Sequence, residues 1–191
     1  MPFTELNEPN PQDPYGVSKY EAELALHRVA AEMGLEIVIV RSPLVYGPGV
    51  EGNFSQLIKV IANGVPLPLA SVHNMRSFVA LDNLVDLIIT CVDHPAAANQ
   101  TFLAGDGEDL STTELLHRVG KALGKQAKLF PVPVWLLKTV ARLLGEEDMA
   151  QRLCDSLQVD ISKAFNFLGC RPPMSMDDAL KKMATAFLGR K

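Results

Sequence analysis

The stretch DPYGVSKYEAELALHRVAAEMG, running without a gap into LEIVIVRS, constrains the fold more than any other part of the chain. From Tyr15 onward, Ala22, Leu26, Val29, Ala30 and Met33 recur at three- and four-residue steps. Asp13-Pro14 supplies a cap and a first-turn proline, and Gly34 stops the period. The segment that follows is rich in β-branched residues, too short for a helix and apolar on both faces, the pattern of a buried parallel strand. A helix leading into such a strand is half of an α/β unit, so the expected class is α/β.

The rest of the chain repeats that alternation. PLVYGPGVEGN is broken by Pro and Gly and reads as a loop at the strand's carboxyl end, where open α/β sheets bind ligands. A helix over residues 53–62 follows, ended by Gly64. Residues 77–80 read as a short strand, Asp82 as the cap of an apolar helix, and His94-Pro95 as its stop. QTFLAG is a further strand and GDGED a turn. Ser111 and Glu114 form a capping box ahead of Leu115, Leu116, Val119 and Leu123, and Ser175 with Asp178 suggests a second. The final third reads as three helices joined by Pro- or Gly-marked turns, with no internal repeat. Residues 1–14 hold four prolines and no hydrophobic period, so neither strand nor helix is placed there.

Composition narrows the function classes. With 191 residues, 48% hydrophobic and 21% charged, the chain can bury a core. A net charge of −4 and no Lys/Arg block lack the electrostatic footprint of phosphate-backbone binding, so no nucleic-acid partner is expected. The three cysteines, Cys91, Cys154 and Cys170, have no C-x-x-C spacing, and the four histidines no ligand spacing. Neither a disulfide framework nor a metal site is expected, and a reducing cytoplasm is the simplest location. No apolar run approaches the ~20 residues of a membrane span. VWLLKTVARLLG has an apolar face that could lie on a membrane surface, but packing on the core or a second subunit is the preferred expectation, so no membrane partner is assigned.

Tyr15 and Lys19 are the candidate chemical pair. Residues i and i+4 of a helix share a face, so a phenol and an ammonium can meet the same small molecule. A free phenol, with a pKa of about 10, is a poor base at neutral pH, whereas a phenol beside an ammonium is drawn toward the phenolate. Tyr at a helix start is also an ordinary half-buried residue and Lys an ordinary solvated one, so the pair alone does not define a site.

The order of the motifs does more. DPYGVSKYEAE, followed by RSPLVYGPG, GNFSQLIKVIANGVPLPL, MRSFVALDNLVDLI, TFLAGDGEDLSTTELLHRVGKALG and SLQVDISKAFNFLGCRPPMSMDDAL, resembles the extended short-chain dehydrogenase/reductase family. The likeness is to its NAD-dependent nucleotide-sugar epimerases and dehydratases, and most of all to 4-epimerases of UDP-hexoses and their N-acetylated forms. It implies a partial Rossmann-like parallel sheet with flanking helices plus a smaller mixed α/β substrate-binding region. Residues 1–50 would be the dinucleotide-binding remnant and 51–191 mainly the substrate region, some of whose strands return to the sheet. By the same resemblance Tyr15 exchanges a proton with the sugar 4-hydroxyl, while Lys19 supports the phenolate and binds the nicotinamide ribose. Tyr15, Lys19, Pro43, Leu44 and Val45 would meet NAD. Asn53, Phe54, Leu67 and Leu69 would line the UDP-sugar cleft. Arg76 would take the diphosphate, for which its planar fork is suited. Arg152 is the candidate second arginine, with a solvated helix position as its alternative.

The pattern also departs from that family. The fourteen residues ahead of Tyr15 cannot contain a glycine-rich dinucleotide fingerprint, which needs a βαβ unit of roughly 30 residues. No third catalytic Ser or Thr on a preceding strand can be nominated, and Thr4 is not chosen. The expectation is therefore a carboxyl-terminal portion, with little NAD affinity and no turnover by itself. The alternatives are an NAD(P)-dependent sugar dehydrogenase, reductase or dehydratase of the same family, or a non-catalytic sugar-nucleotide-binding or oligomerisation fragment. A homodimer is a further expectation.

Overall fold

The computed structural model describes residues 1–11, 13–50 and 53–189. Its first helix, α1 (Pro14–Met33), begins and ends as the sequence dictates. The Asp13 carboxylate accepts from the Gly16 N–H at 2.6 Å, and Gly34 closes the helix at φ 67°, in the left-handed region that glycine adopts without strain. None of its residues is buried, so the apolar row Leu26, Val29 and Met33 faces outward.

The next strand, β1 (Val38–Arg41), pairs in parallel with β4 (Gln100–Leu103), Val38 opposite Gln100 and Arg41 opposite Leu103. All four β1 residues are half-buried rather than buried on both faces, because among the described residues β1 has a strand neighbour on one side only. Arg41 closes the strand with a two-pronged ion pair to Glu23 of α1, at 2.5 and 3.1 Å, which holds helix to strand.

Part of the expected loop is a strand. Leu44–Tyr46 forms β2, parallel to β3 (Arg76–Ala80), with Leu44 opposite Phe78 and Tyr46 opposite Ala80. Three residues between Pro43 and Gly47 are too few for a period to show, yet they suffice to pair. A Cβ at Gly47 would stand 2.9 Å from Leu81 Cβ, so this turn needs glycine to pass the next helix. Helix α2 (Asn53–Ala62) stands as expected, although the Asn53 side chain lies outside the described atoms. The two-residue strand β5 (Asp109–Leu110) runs antiparallel to the start of β3.

Helix α3 (Leu81–Asp93) departs from expectation at its start. Ala80 is the cap and gives no side-chain bond; Asp82 sits in the first turn, where it favours the positive helix end and pairs with Lys182 at 2.8 Å. In α4 (Thr112–Ala122) Ser111 accepts from the Glu114 N–H, but the Glu114 carboxylate turns to Arg118, so only half of the capping box forms. The described residues of the final third hold four helices, not three: α5 (Val134–Leu143), α6 (Glu147–Cys154), α7 (Ser162–Leu168) and α8 (Met176–Leu188). The unexpected α6 has one buried residue, Ala150, so it left little periodic signal.

Strand β3 divides two cores. Phe78 and Ala80 face a core with Tyr46, Leu116, Val119 and Leu180, while Val79 faces one with Leu87, Phe102 and Leu168. The two are tied through the turn after β4. Asp106 accepts from the Tyr46 hydroxyl at 2.7 Å, the Ala80 N–H at 2.8 Å and Asn83 Nδ2 at 2.7 Å. Asn83 in turn exchanges two hydrogen bonds with the Met174 backbone. Burial and the adjoining carboxylate push the Tyr46 phenol far above its ordinary pKa, keeping it a proton donor.

Two expectations follow. Tyr46→Phe strips Asp106 of a buried donor and should lower unfolding stability by about 1–3 kcal/mol, read as a fall in the urea midpoint at unchanged slope. Asp13 is held below the ordinary Asp pKa, chiefly by the Gly16 N–H and also by Arg152. Its contribution should be full above the unfolded value of about 4 and vanish as pH falls through the lower folded value. Protection of the Gly16 amide, taken relative to its intrinsic exchange rate at each pH, should fall over that acid window in wild type and show no such step in Asp13→Ala.

Candidate active site

Tyr15 and Lys19 lie one turn apart at the start of α1, with the Lys19 ammonium 5.3 Å from the centroid of the Tyr15 ring. Tyr15 is 71% exposed, so the pair faces open space where a ligand can reach it. The cap at Asp13 fixes the turn that carries both residues. The arrangement can hold a hydroxyl-bearing ligand against a phenol while a cation stands beside the ring.

Arg76, at the start of β3, forms the centre of a second cluster. Its Nη1 donates to the carbonyls of Arg152 and Asp155, at 2.6 and 3.0 Å, at the end of α6. These acceptors are neutral and fix the guanidinium without cancelling its charge. Burial pulls its pKa below the ordinary arginine value and neighbouring Arg152 acts in the same direction, while Asp155 opposes them. A partly desolvated cation of this kind is stabilised by an incoming anion. The segment after α6 is pinned to β3 by backbone bonds from Ser77 to Leu157 and from Leu157 to Met75.

Arg152 links the two clusters. Its Nη2 donates to Asp13 Oδ2 at 2.9 Å, while Asp13 Oδ1 accepts from Gly16. One carboxylate therefore caps the helix of Tyr15 and binds the helix that positions Arg76. Asp13, Arg41, Arg76, Arg152 and Asp155 all border a cavity of about 660 Å³ beside the proline-rich first segment.

The remaining candidates are placed elsewhere. Phe54 and Leu69 are core residues, Phe54 with its ring centroid 5.6 Å from that of Tyr46. Leu67 is half-buried, and its backbone pairs with Lys128 and Phe130. Pro43 and Val45 are half-buried and Leu44 is exposed along β2. Of the residues singled out in the sequence, Arg76 and Arg152 border the cavity; Tyr15 and Lys19 do not, although Asp13, just ahead of Tyr15, does.

Three features went unanticipated. Arg41 could have been suspected as a charge ending an apolar strand, whereas the double use of Asp13 and the carbonyls of residues 152 and 155 depend on tertiary placement. Gly47, Gly49 and Gly52 also reproduce a G-x-G-x-x-G spacing between β2 and α2. Gly47 is accounted for by its approach to Leu81, and Pro48 removes one N–H that a phosphate cradle would use.

Residues 1–105 match the model of the NAD dependent epimerase/dehydratase family. The chain is 46% identical over 188 residues to UDP-glucose 4-epimerase of Vibrio cholerae, covering 98% of this chain and 57% of that protein. It is 28% identical over 174 residues to N-acetyl-alpha-D-glucosaminyl-diphospho-ditrans,octacis-undecaprenol 4-epimerase of Escherichia coli O157:H7, covering 82% of this chain and 53% of that one. The fold superposes on UDP-glucose 4-epimerase of Thermotoga maritima, solved with UDP-glucose, with a TM-score of 0.77 at 23% identity, over 100% of this chain and 58% of that one. The chain thus spans little more than half the length of these proteins. With the family model spanning residues 1–105 and the α/β fold shared, the chain belongs to the NAD dependent epimerase/dehydratase family.

Proposed function

We propose that the chain carries the acid–base pair and the diphosphate-binding arginines of an NAD-dependent UDP-hexose 4-epimerase. The observation that carries this reading is the Asp13 bridge, which joins the Tyr15–Lys19 helix to the Arg76–Arg152 cluster through one carboxylate. The relative from Vibrio cholerae, named for this activity, supports it.

In this reading Tyr15 takes the proton of the sugar 4-hydroxyl and returns it after the 4-keto sugar has turned over in the site. Lys19, beside the ring, favours the phenolate and binds the cofactor's ribose. Bound NAD would supply a hydride acceptor and donor at the sugar carbon, with no net redox change. The exposed Tyr15 and Lys19 groups fit a ribose and a sugar hydroxyl; Pro43, Leu44 and Val45 are assigned to the cofactor by the family resemblance. Arg76 receives the diphosphate and Arg152 assists. Asn53, Phe54, Leu67 and Leu69 belong to the substrate side, Phe54 and Leu69 as supports from the core. The division at residue 50, cytoplasmic residence, and a homodimer through the exposed apolar row of α1 complete the proposal; the three unpaired cysteines support the second and α1 the third.

A second reading concerns the substrate's anchor. The outer face of α5 is apolar and exposed, and α5 packs on α6, which borders the cavity. That favours a sugar diphosphate linked to undecaprenol, the substrate in the name of the Escherichia coli O157:H7 relative, with the same arginines on the diphosphate.

Arg76→Ala should weaken UDP binding about 10–100-fold by calorimetry, the worth of a hydrogen bond to a charged group; unchanged affinity would remove the diphosphate role. In a preparation that interconverts UDP-glucose and UDP-galactose, Tyr15→Phe should slow turnover by about 100-fold or more at unaltered UDP affinity. Turnover that survives the loss of the phenol would displace Tyr15 as the proton carrier.

A further inference from the structure

The arginines that border the cavity are not equally free to meet an anion. Arg41 is engaged on two prongs by Glu23, at 2.5 and 3.1 Å. Arg76 is held by neutral carbonyls and keeps its charge uncancelled. Arg152 stands between these cases, since its Nη2 alone meets a carboxylate, Asp13 Oδ2, at 2.9 Å. Both side chains of that pair are open to water, 55% exposed for Arg152 and 36% for Asp13. An ion pair so exposed is worth little and is readily exchanged for another anion.

We propose that Asp13 is a displaceable counter-ion, which competes with the ligand's diphosphate for Arg152 and so sets the affinity of the cavity for that group. This role rests on the diphosphate reading above and adds to it a positioning residue that acts through Arg152. Competition is favoured by how each partner is otherwise held. The end of α6 does not depend on Asp13 alone: Asn74 Nδ2 donates to the carbonyls of Leu153 and Asp155, at 3.1 and 3.0 Å, and Thr112 Oγ1 donates to that of Leu153 at 2.6 Å. Asp13 in turn keeps its cap bond to Gly16 through Oδ1, whatever Oδ2 is doing. The pair can therefore open while both helices stay anchored, and only the guanidinium has to turn.

While the pair is closed, the Asp13 carboxylate offsets the attraction that a diphosphate feels toward Arg152. By linkage, a bound diphosphate weakens the pair by the same factor as the pair weakens the diphosphate. Such a counter-ion has a use in a reversible reaction. Substrate and product of a 4-epimerase carry the same diphosphate, so extra affinity for that group adds equally to ground state and transition state and does not raise turnover. Asp13 would take Arg152 back as the diphosphate leaves.

Asp13→Asn and, separately, Asp13→Ser remove the charge but keep a cap of equal rank, so circular dichroism should be unchanged. Each should tighten UDP binding by about two- to fivefold in calorimetry, the worth of one exposed ion pair. Loss of a merely structural contact would not strengthen binding. In an Arg152→Ala background the same substitutions should gain at most half as much on a logarithmic scale, because the group competed for is gone. A gain undiminished in that background would mean general repulsion of the anion and overturn the competition. Unchanged or weaker UDP binding in both Asp13 variants, with Arg76→Ala still weakening it, would overturn the role of Asp13 and leave the diphosphate site standing. UDP affinity insensitive to Arg76→Ala, or no UDP binding at all, would remove the diphosphate site itself and the role of Asp13 with it.

Discussion

The carboxylate of Asp106 holds together parts of the chain that lie far apart in sequence. Tyr46 on β2, Ala80 at the end of β3 and Asn83 in α3 all donate to it, and Asn83 passes the connection to Met174 ahead of α8. In a low-dielectric surrounding such bonds are strong when complete and costly when one member is missing. No buried side-chain polar atom among the described residues lacks a partner. The parallel pair β2–β3 and the α8 layer that covers it are therefore positioned by one residue of a turn.

A comparable economy governs the candidate site. Asp13 is the cap that a helix start requires, and its second oxygen is spent on Arg152. Arg152 is exposed, so this ion pair contributes little to global stability. Its effect is positional, relating the first turn of α1, which presents a phenol and an ammonium, to the end of α6, whose carbonyls aim Arg76. A ligand that drew Arg152 away would leave Asp13 with its helix bond alone.

How much of this was legible in the chain differs from element to element. The limits of α1 and α2 were plain because Asp13, Gly34 and Gly64 mark ends by local chemistry. β2 was hidden because three residues do not make a pattern, and α6 because a helix with one buried residue has no periodic face to read. In the candidate site, the Tyr15–Lys19 adjacency follows from helix geometry and was visible as spacing. The grouping of Arg76, Arg152 and Asp13 was not, since those partners stand up to 139 residues apart and meet only when the segment after α6 returns to β3. The motif order nominates Arg76 and Arg152 through family resemblance; it could not say that Asp13 joins them.

The alternation along β3 has a consequence for how the molecule comes apart. Phe78 and Val79 are adjacent in the chain yet belong to different cores. A strand that serves as a party wall cannot be withdrawn from one room without opening the other. The two cores are thereby bound into a single cooperative unit, and the amides of β3 would be the last to exchange with solvent, after helices such as α5 and α6 that border only one side have already opened.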